Sequence, residues 1–205
     1  MKLSIIMPVY NEKDTIERVI SEVLSVDLGM EKELIIVDDA SVDGTRSIIE
    51  KMEINNIKKV FHPKNLGKGS AIKSAIKEIT GDIVIIQDAD LEYPPQENYK
   101  VLIEPIKKGY ADVVYGSRFL GLHRVFLFWH FLANKLLILI TNILYNTMLS
   151  DMETGAKAFR TDVIKSFSIE SKRFNVEPEI TAKVFKKGYK VLEVPIDFKI
   201  GRAHV

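Results

Sequence analysis

Asp82-Ile83-Val84-Ile85-Ile86-Gln87-Asp88-Ala89-Asp90-Leu91-Glu92 holds an apolar run of strand length that ends abruptly in acid. A strand with no polar alternation is one buried on both faces, which belongs in a parallel sheet covered by helices. Similar runs occur on either side, at Leu3–Val9, Glu33–Val37, Lys58–Phe61 and Ala111–Tyr115. Segments of helical period separate them. Ile16, Val19, Ile20, Val23 and Leu24 form one apolar face, and Ile48, Ile49 and Met52 a second. Ala71, Ile72, Ala75, Ile76 and Ile79 form a third, and Val101, Leu102, Ile103 and Ile106 a fourth. Strand–helix alternation of this kind predicts an α/β fold, with a mostly parallel central sheet and helices on both faces. Gly81 and Gly109 stand where helices are expected to stop.

In an open parallel sheet, ligands bind beyond the carboxyl ends of the strands. Those ends are chemically consistent here. Asp88 and Asp90, two residues apart after a buried strand, can both face a pocket if the chain turns. Like charges so close are costly unless a cation joins them. Hard oxygen ligands suit Mg²⁺ or Mn²⁺, and Glu92 could add a third oxygen. The competing reading is an acidic turn that caps the helix opened by Pro94-Pro95. Asp38 or Asp39 could accept hydrogen bonds from a nucleobase or ribose, or could cap structurally, while Asp43-Gly44-Thr45 reads as a turn and helix start. Asn65-Leu66-Gly67-Lys68-Gly69-Ser70 precedes a helix, where free amides and Lys68 can hold phosphate, or the glycines can simply make a turn. Arg118, at the end of another strand, could grip a diphosphate by forked hydrogen bonds or pair with a strand-end aspartate. The four histidines lack ligand spacing and read as structural or exposed.

Composition excludes several classes. The chain has 205 residues, 46% hydrophobic and 28% charged, with 29 basic against 28 acidic side chains. It is an ordinary globular composition whose global charge gives no argument for nucleic-acid binding. There is no cysteine, so no disulfide, thiolate zinc site or cysteine nucleophile, in keeping with a reducing cytosol. The N-terminal apolar run ends at Pro8 and is too short for a signal peptide. No window offers 18 clean apolar residues; Leu136–Ser150 comes nearest but carries Thr141, Asn142, Asn146 and Thr147. Beyond Leu122 the chain becomes rich in Leu, Ile and Phe up to Leu149. A helix is expected around Pro178–Lys187 and a strand around Lys190–Phe198.

Taken together, Pro8-Val9-Tyr10-Asn11-Glu12, Val37-Asp38-Asp39-Ala40-Ser41-Val42-Asp43-Gly44-Thr45, Asn65-Leu66-Gly67-Lys68-Gly69, Asp88-Ala89-Asp90 and Gly116-Ser117-Arg118 resemble family-two glycosyltransferases. Within that family they are most like the dolichyl-phosphate mannose synthases and their bacterial polyprenyl-phosphate relatives. The resemblance runs from about Leu3 to Phe198. It implies a GT-A fold, a nucleotide-diphosphate sugar donor, a divalent metal and inversion at the sugar carbon. By position it places Pro8, Tyr10, Glu12, Val37 and Asp39 around the nucleoside. Asp88, Ala89 and Asp90 fall at the diphosphate and metal, and Arg118 on the diphosphate. The mannose synthases often carry glutamine where this chain has Glu92, which adds a charge. Asp151 matches an acidic position near the acceptor, and Phe174-Asn175-Val176-Glu177-Pro178-Glu179 a segment near the active-site floor. Asp90, Arg118 and Asp151 are thus the expected catalytic set.

The expected activity is transfer of mannose or glucose from a GDP- or UDP-sugar to a polyprenyl phosphate at the cytoplasmic face of a membrane. A phosphate acceptor is largely dianionic at neutral pH, so Asp151 is expected to position acceptor or metal more than to remove a proton. Val125–Leu149 is expected to lie in the membrane interface with Trp129, Arg124 and Lys135 at headgroup level, unless it is buried on the sheet or in a dimer. A glycan or protein acceptor, or nucleotide-sugar binding without turnover, are the rival readings. One unit over 1–199 is expected, its nucleotide-binding half about 1–118 and its acceptor- and membrane-facing half about 119–199. Residues 200–205 can be read from ATC GGA AGA GCA CAC GTC, a string resembling a sequencing adapter. The natural chain is therefore expected to continue differently, and Arg202 is given no role.

Overall fold

The structure, a computed structural model, describes residues 1–121, 127–171 and 175–199. Residues 200–205, Arg124 and Phe174 lie outside these. Seven strands form one sheet in the order β3-β2-β1-β4-β6-β5-β7. The strands are β1 (Lys2–Val9), β2 (Glu31–Asp38), β3 (Ile57–Phe61), β4 (Ile83–Ile86), β5 (Val113–Ser117), β6 (Lys157–Arg160) and β7 (Val191–Pro195). The helices are α1 (Ile16–Ser25), α2 (Thr45–Lys51), α3 (Lys68–Ile76), α4 (Pro95–Lys107), α5 (Phe128–Tyr145), α6 (Thr161–Lys165) and α7 (Val176–Lys186).

Alternation along each strand builds two cores. Leu3, Ile5, Met7, Leu34, Ile36, Ile83 and Ile85 face α1, α2 and α4. Ile6, Ile35, Val37, Val84 and Ile86 face α3, α6 and α7. The crossovers β1-α1-β2 and β2-α2-β3 thus use one face and β3-α3-β4 the other, as right-handed connections require when the strand order reverses. The reversal falls between β1 and β4, which pair in parallel. There the loops after the two strands diverge and leave a crevice.

β6 departs from the parallel plan. It runs antiparallel to both β4 and β5 and separates them. Sequence reasoning found no strand there, because Lys-Ala-Phe-Arg offers two apolar residues between charged ends. Three further expectations change. Gly81 is not a helix stop: α3 ends at Ile76, and a Cβ on Gly81 would lie 2.7 Å from both the Lys2 carbonyl oxygen and Ser4 Oγ. Glycine is needed there for close packing on β1. Gly109 does follow α4 with a left-handed φ of 72°. Val101 is exposed rather than part of the α4 face. α7 starts at Val176, taking Pro178 into its first turn, where no amide is lost to the helix.

At the amino ends of the strands, Glu33 is 3% exposed and fully satisfied. It accepts from Ser4 Oγ (2.6 Å), Thr80 N (2.7 Å) and Thr80 Oγ1 (2.9 Å), with Lys2 and Lys58 Nζ each at 3.2 Å. Burial opposes its charge, but these donors win and hold its pKa at about 2. Helix carbonyls at the same end are capped by lysines. Lys32 reaches Val23, Leu24 and Val26, and Lys59 reaches Glu50 and Met52.

Candidate functional site

At the carboxyl ends lies a cavity of about 680 Å³. β1 supplies Pro8, Val9, Tyr10 and Glu12 at its end, and β2 is followed by Asp39. The β3–α3 turn gives Asn65, Gly67 and Lys68, α3 gives Ala71, and the turn after β4 gives Asp88, Ala89 and Asp90. Every donor-site residue of the first four motifs except Val37 is therefore brought to one crevice. Val37 is fully buried in the α3-side core, inside the sheet.

Asp39 is saturated by the protein. Its oxygens accept from Leu66 N (2.9 and 3.1 Å), Gly67 N (2.7 Å) and His62 Nδ1 (2.6 Å). His62 is itself held by Ser74 Oγ at 2.9 Å through Nε2. Asp39 thus anchors the glycine turn and presents Lys68, the first residue of α3, to the cavity. The side chain of Asp38 points elsewhere, pairing with Arg46 Nε at 3.0 Å. Asp43 accepts from Thr45 N at 3.0 Å, so it caps the entry to α2.

The two aspartates after β4 differ in the charge that meets them. Lys68 Nζ sits 2.8 and 3.0 Å from the two oxygens of Asp88 and 2.8 Å from Glu177 Oε1. Asp90 Oδ1 accepts from Glu92 N at 3.0 Å, across Leu91 with its left-handed φ of 65°. Burial, then Asp88, Glu92 and Glu12, push the Asp90 carboxyl up to about 7. Burial likewise raises Glu12. Glu92 is not part of the cavity lining, and among the described residues no three carboxylate or imidazole groups converge on one cation position. The charge of Glu92 is nevertheless near enough to help raise Asp90.

A second constellation lies beyond β5, outside the cavity lining. Asp151, fully buried, accepts from Arg118 N (3.0 Å), Nε (2.7 Å) and Nη2 (2.8 Å). The partner of Arg118 is thus an aspartate in the loop between α5 and β6, not one at a strand end. Both oxygens of Asp151 are held by Arg118. Glu193 on β7 fixes the loop by accepting from Ser150 N, Ser150 Oγ and Asp151 N at 2.8–3.0 Å. Arg118 also lies over the Phe198 ring, 5.4 Å from its centroid.

The order of these motifs matches a known pattern. The model of glycosyl transferase family 2 matches residues 4–171. The chain belongs to glycosyl transferase family 2. Among curated members it is 33% identical to a dolichol-phosphate mannosyltransferase of Pyrococcus furiosus, over 98% of this chain and 57% of that protein. It is 36% identical to an undecaprenyl-phosphate 4-deoxy-4-formamido-L-arabinose transferase of Proteus mirabilis, over 57% of this chain and 36% of that protein. The chain therefore spans well under two thirds of these relatives. A glucosyl-3-phosphoglycerate synthase of Mycobacterium tuberculosis, solved with Mn²⁺ and UDP-glucose, superposes with a TM-score of 0.75 at 23% identity, over 98% of this chain and 71% of that one. The family-2 chain thus has the GT-A fold that its motifs implied.

Several residues of this family-2 site carry no sequence signal. Lys157 is 1% exposed, donates to the carbonyls of Met152 and Thr154, and lies 4.7 Å from the Tyr115 ring centroid. Burial lowers its pKa to about 8. Lysine is ordinarily a surface residue, so its identity gave no hint. Glu177 stood in a quoted segment without a role until Lys68 was seen to bridge it to Asp88.

Proposed function

We propose that this chain carries the catalytic domain of a polyprenyl-phosphate glycosyltransferase. It would take mannose or glucose from a nucleotide-diphosphate sugar and pass it to a lipid phosphate at a membrane surface. The observation that carries the reading is the crevice between β1 and β4. It combines a glycine turn with Lys68 on one wall and, on the other, Asp88 held by that lysine and Asp90 raised by its acidic neighbours. That surplus of negative charge fits a divalent cation. Mg²⁺ and Mn²⁺ use one or two protein carboxylates and take remaining oxygens from water and phosphates, so Asp88 and Asp90 suffice without Glu92. Bound there, such a cation would supply Lewis-acid neutralisation of the leaving diphosphate. The Mn²⁺ and Mg²⁺ complexes of the fold neighbours support the same choice.

Exposed Tyr10 and the rim at Glu12 would receive the nucleoside, and Lys68 the diphosphate. Arg118, locked by Asp151, would orient the acceptor phosphate or the diphosphate. The acceptor phosphate is already ionised near neutral pH, so alignment replaces general-base catalysis. One phosphate oxygen forms the new bond to the anomeric carbon as the bond to the nucleoside diphosphate breaks, inverting that centre.

α5 supports a lipid acceptor over a glycan or protein. Phe128, Trp129, Leu132, Leu136, Ile140, Ile143 and Leu144 are all exposed on it. Among the described residues no helix is long and apolar enough to cross a membrane, and such a helix suits the interface. Lys135 is turned inward, with Nζ 3.9 Å from the Phe119 ring centroid, so headgroup contact is assigned to Trp129 rather than to it.

Calorimetry with GDP-mannose and UDP-glucose, with and without Mn²⁺, should show metal-dependent binding of one donor. Vesicles carrying polyprenyl phosphate should then yield lipid-linked sugar. Donor binding without lipid product, but with a glycan or protein product, would replace the acceptor. Absence of donor binding by the folded chain would overturn the proposal.

A further inference from the structure

Lys68 makes three short contacts, and an ammonium has three protons to give. They go to both oxygens of Asp88 and to Glu177 Oε1, at 2.8, 3.0 and 2.8 Å. All three side chains are largely sheltered, at 21%, 18% and 12% exposure. The backbone of Gly155 lies against Asp88 Oδ2, which is also 3.0 Å from Lys68 Nζ, so close that a Cβ on Gly155 would come within 2.3 Å of it. Any cation that ligates Asp88 must therefore use the oxygens Lys68 now holds. A cation at about 2.0–2.2 Å would share a carboxylate oxygen with the ammonium, and the two positive charges, about 4 Å apart, would repel across a sheltered site.

Resting on the donor-site reading above, we infer that Lys68 is a built-in competitor for the metal position. The diphosphate relieves that competition by drawing the ammonium off Asp88, and Glu177 is the residue that keeps the displaced ammonium paired. Glu177 stands in the first turn of α7 and Lys68 opens α3, so the exchange needs only side-chain motion between two fixed helix ends. The consequence is coupling. Metal alone binds weakly, diphosphate strengthens it, and by linkage the metal strengthens diphosphate binding by the same factor. The pair is loaded together, and neither cation nor nucleotide lingers without the other.

Mn²⁺ binding followed by electron paramagnetic resonance tests this without turnover, using Mn²⁺ alone and Mn²⁺ with GDP or UDP. Lys68→Gln should tighten Mn²⁺ alone by about tenfold while weakening nucleotide in saturating Mn²⁺ by about tenfold. The mutual enhancement should fall towards one. Lys64→Gln removes a lysine exposed on the preceding turn and controls for general loss of charge; it should do neither. Glu177→Gln should weaken Mn²⁺ alone a few-fold, because Lys68 then rests on Asp88 only, and that loss should vanish when Lys68→Gln is added. Opposite signs for metal and nucleotide are not produced by mere loss of structure. Lys68→Gln binding Mn²⁺ alone no tighter than wild type, or no tighter than Lys64→Gln does, would overturn the inference while leaving the donor site intact. No Mn²⁺ or nucleotide binding by any folded variant would overturn the donor site itself. Should Lys68→Gln fail to fold, a Glu177→Gln variant with unchanged Mn²⁺ affinity overturns the inference equally.

Discussion

At the amino ends of β1 and β2, the carboxylate of Glu33 is met by two lysines, two hydroxyls and an amide. At the carboxyl end of β4, Asp90 is met by one amide and by three other carboxylates close enough to raise it. The same sheet thus holds one acid near pKa 2 and another near 7. Both are sheltered, so burial does not separate them. Partners do. The first end is finished by its own chain, and the second is left short of positive charge, which is what a site for a cation and its ligand requires.

The largest effect expected from this contrast is on binding. Asp90→Asn should lower metal-dependent donor affinity or turnover by at least about 100-fold, while Glu33→Gln should leave both within about twofold. Stability should respond in reverse. Glu33→Gln removes an acid whose pKa falls from 4.5 to about 2 on folding, which amounts to roughly 3 kcal/mol near neutral pH by denaturant titration. Asp90→Asn should raise the melting temperature of the metal-free chain at pH 8 by several degrees. A loss of stability there would mean that Asp90 is already paired in the free protein.

The smallest effect is in the pH profile, and its sign differs between the two ends. Asp90 binds its proton more tightly folded than unfolded. Its contribution to stability is therefore fully present below about pH 4 and is lost as pH rises from there through 7. Glu33 does the opposite, contributing fully above pH 4.5 and fading as pH falls towards 2. Melts from pH 4 to 8 in EDTA should carry the Asp90 slope, and saturating Mn²⁺ with nucleotide should flatten it. A slope unchanged by Asp90→Asn would assign it elsewhere.

Much of this was legible from residue order. β1 to β5 announce themselves as apolar runs, and Asp88 and Asp90 stand out because acid follows such a run directly. The partners of Asp39 were not legible. Two of them are main-chain amides at Leu66 and Gly67, which any sequence supplies, and the third is a histidine with no ligand spacing. Glu92 shows the limit of spacing: it stands two residues from Asp90 and near enough to raise it, yet it does not line the cavity. Arg118 and Asp151 each stand in motifs of the sequence, but their 33-residue separation gives no sign that they spend their hydrogen bonds on one another.

The antiparallel β6 also sets an order of assembly. β1 to β4 can pair among themselves once β4 has left the ribosome, and they already carry the whole crevice lining. β5 has no such partner. Within the sheet it pairs with β6 and β7 only, so the chain through Arg160 must be made before Val113–Ser117 finds a strand partner. In the interval an apolar strand and a neighbouring apolar helix are both uncovered, a window in which a nascent chain is prone to aggregate. The crevice lining is thus laid down early in synthesis, and the Arg118–Asp151 pair is completed late.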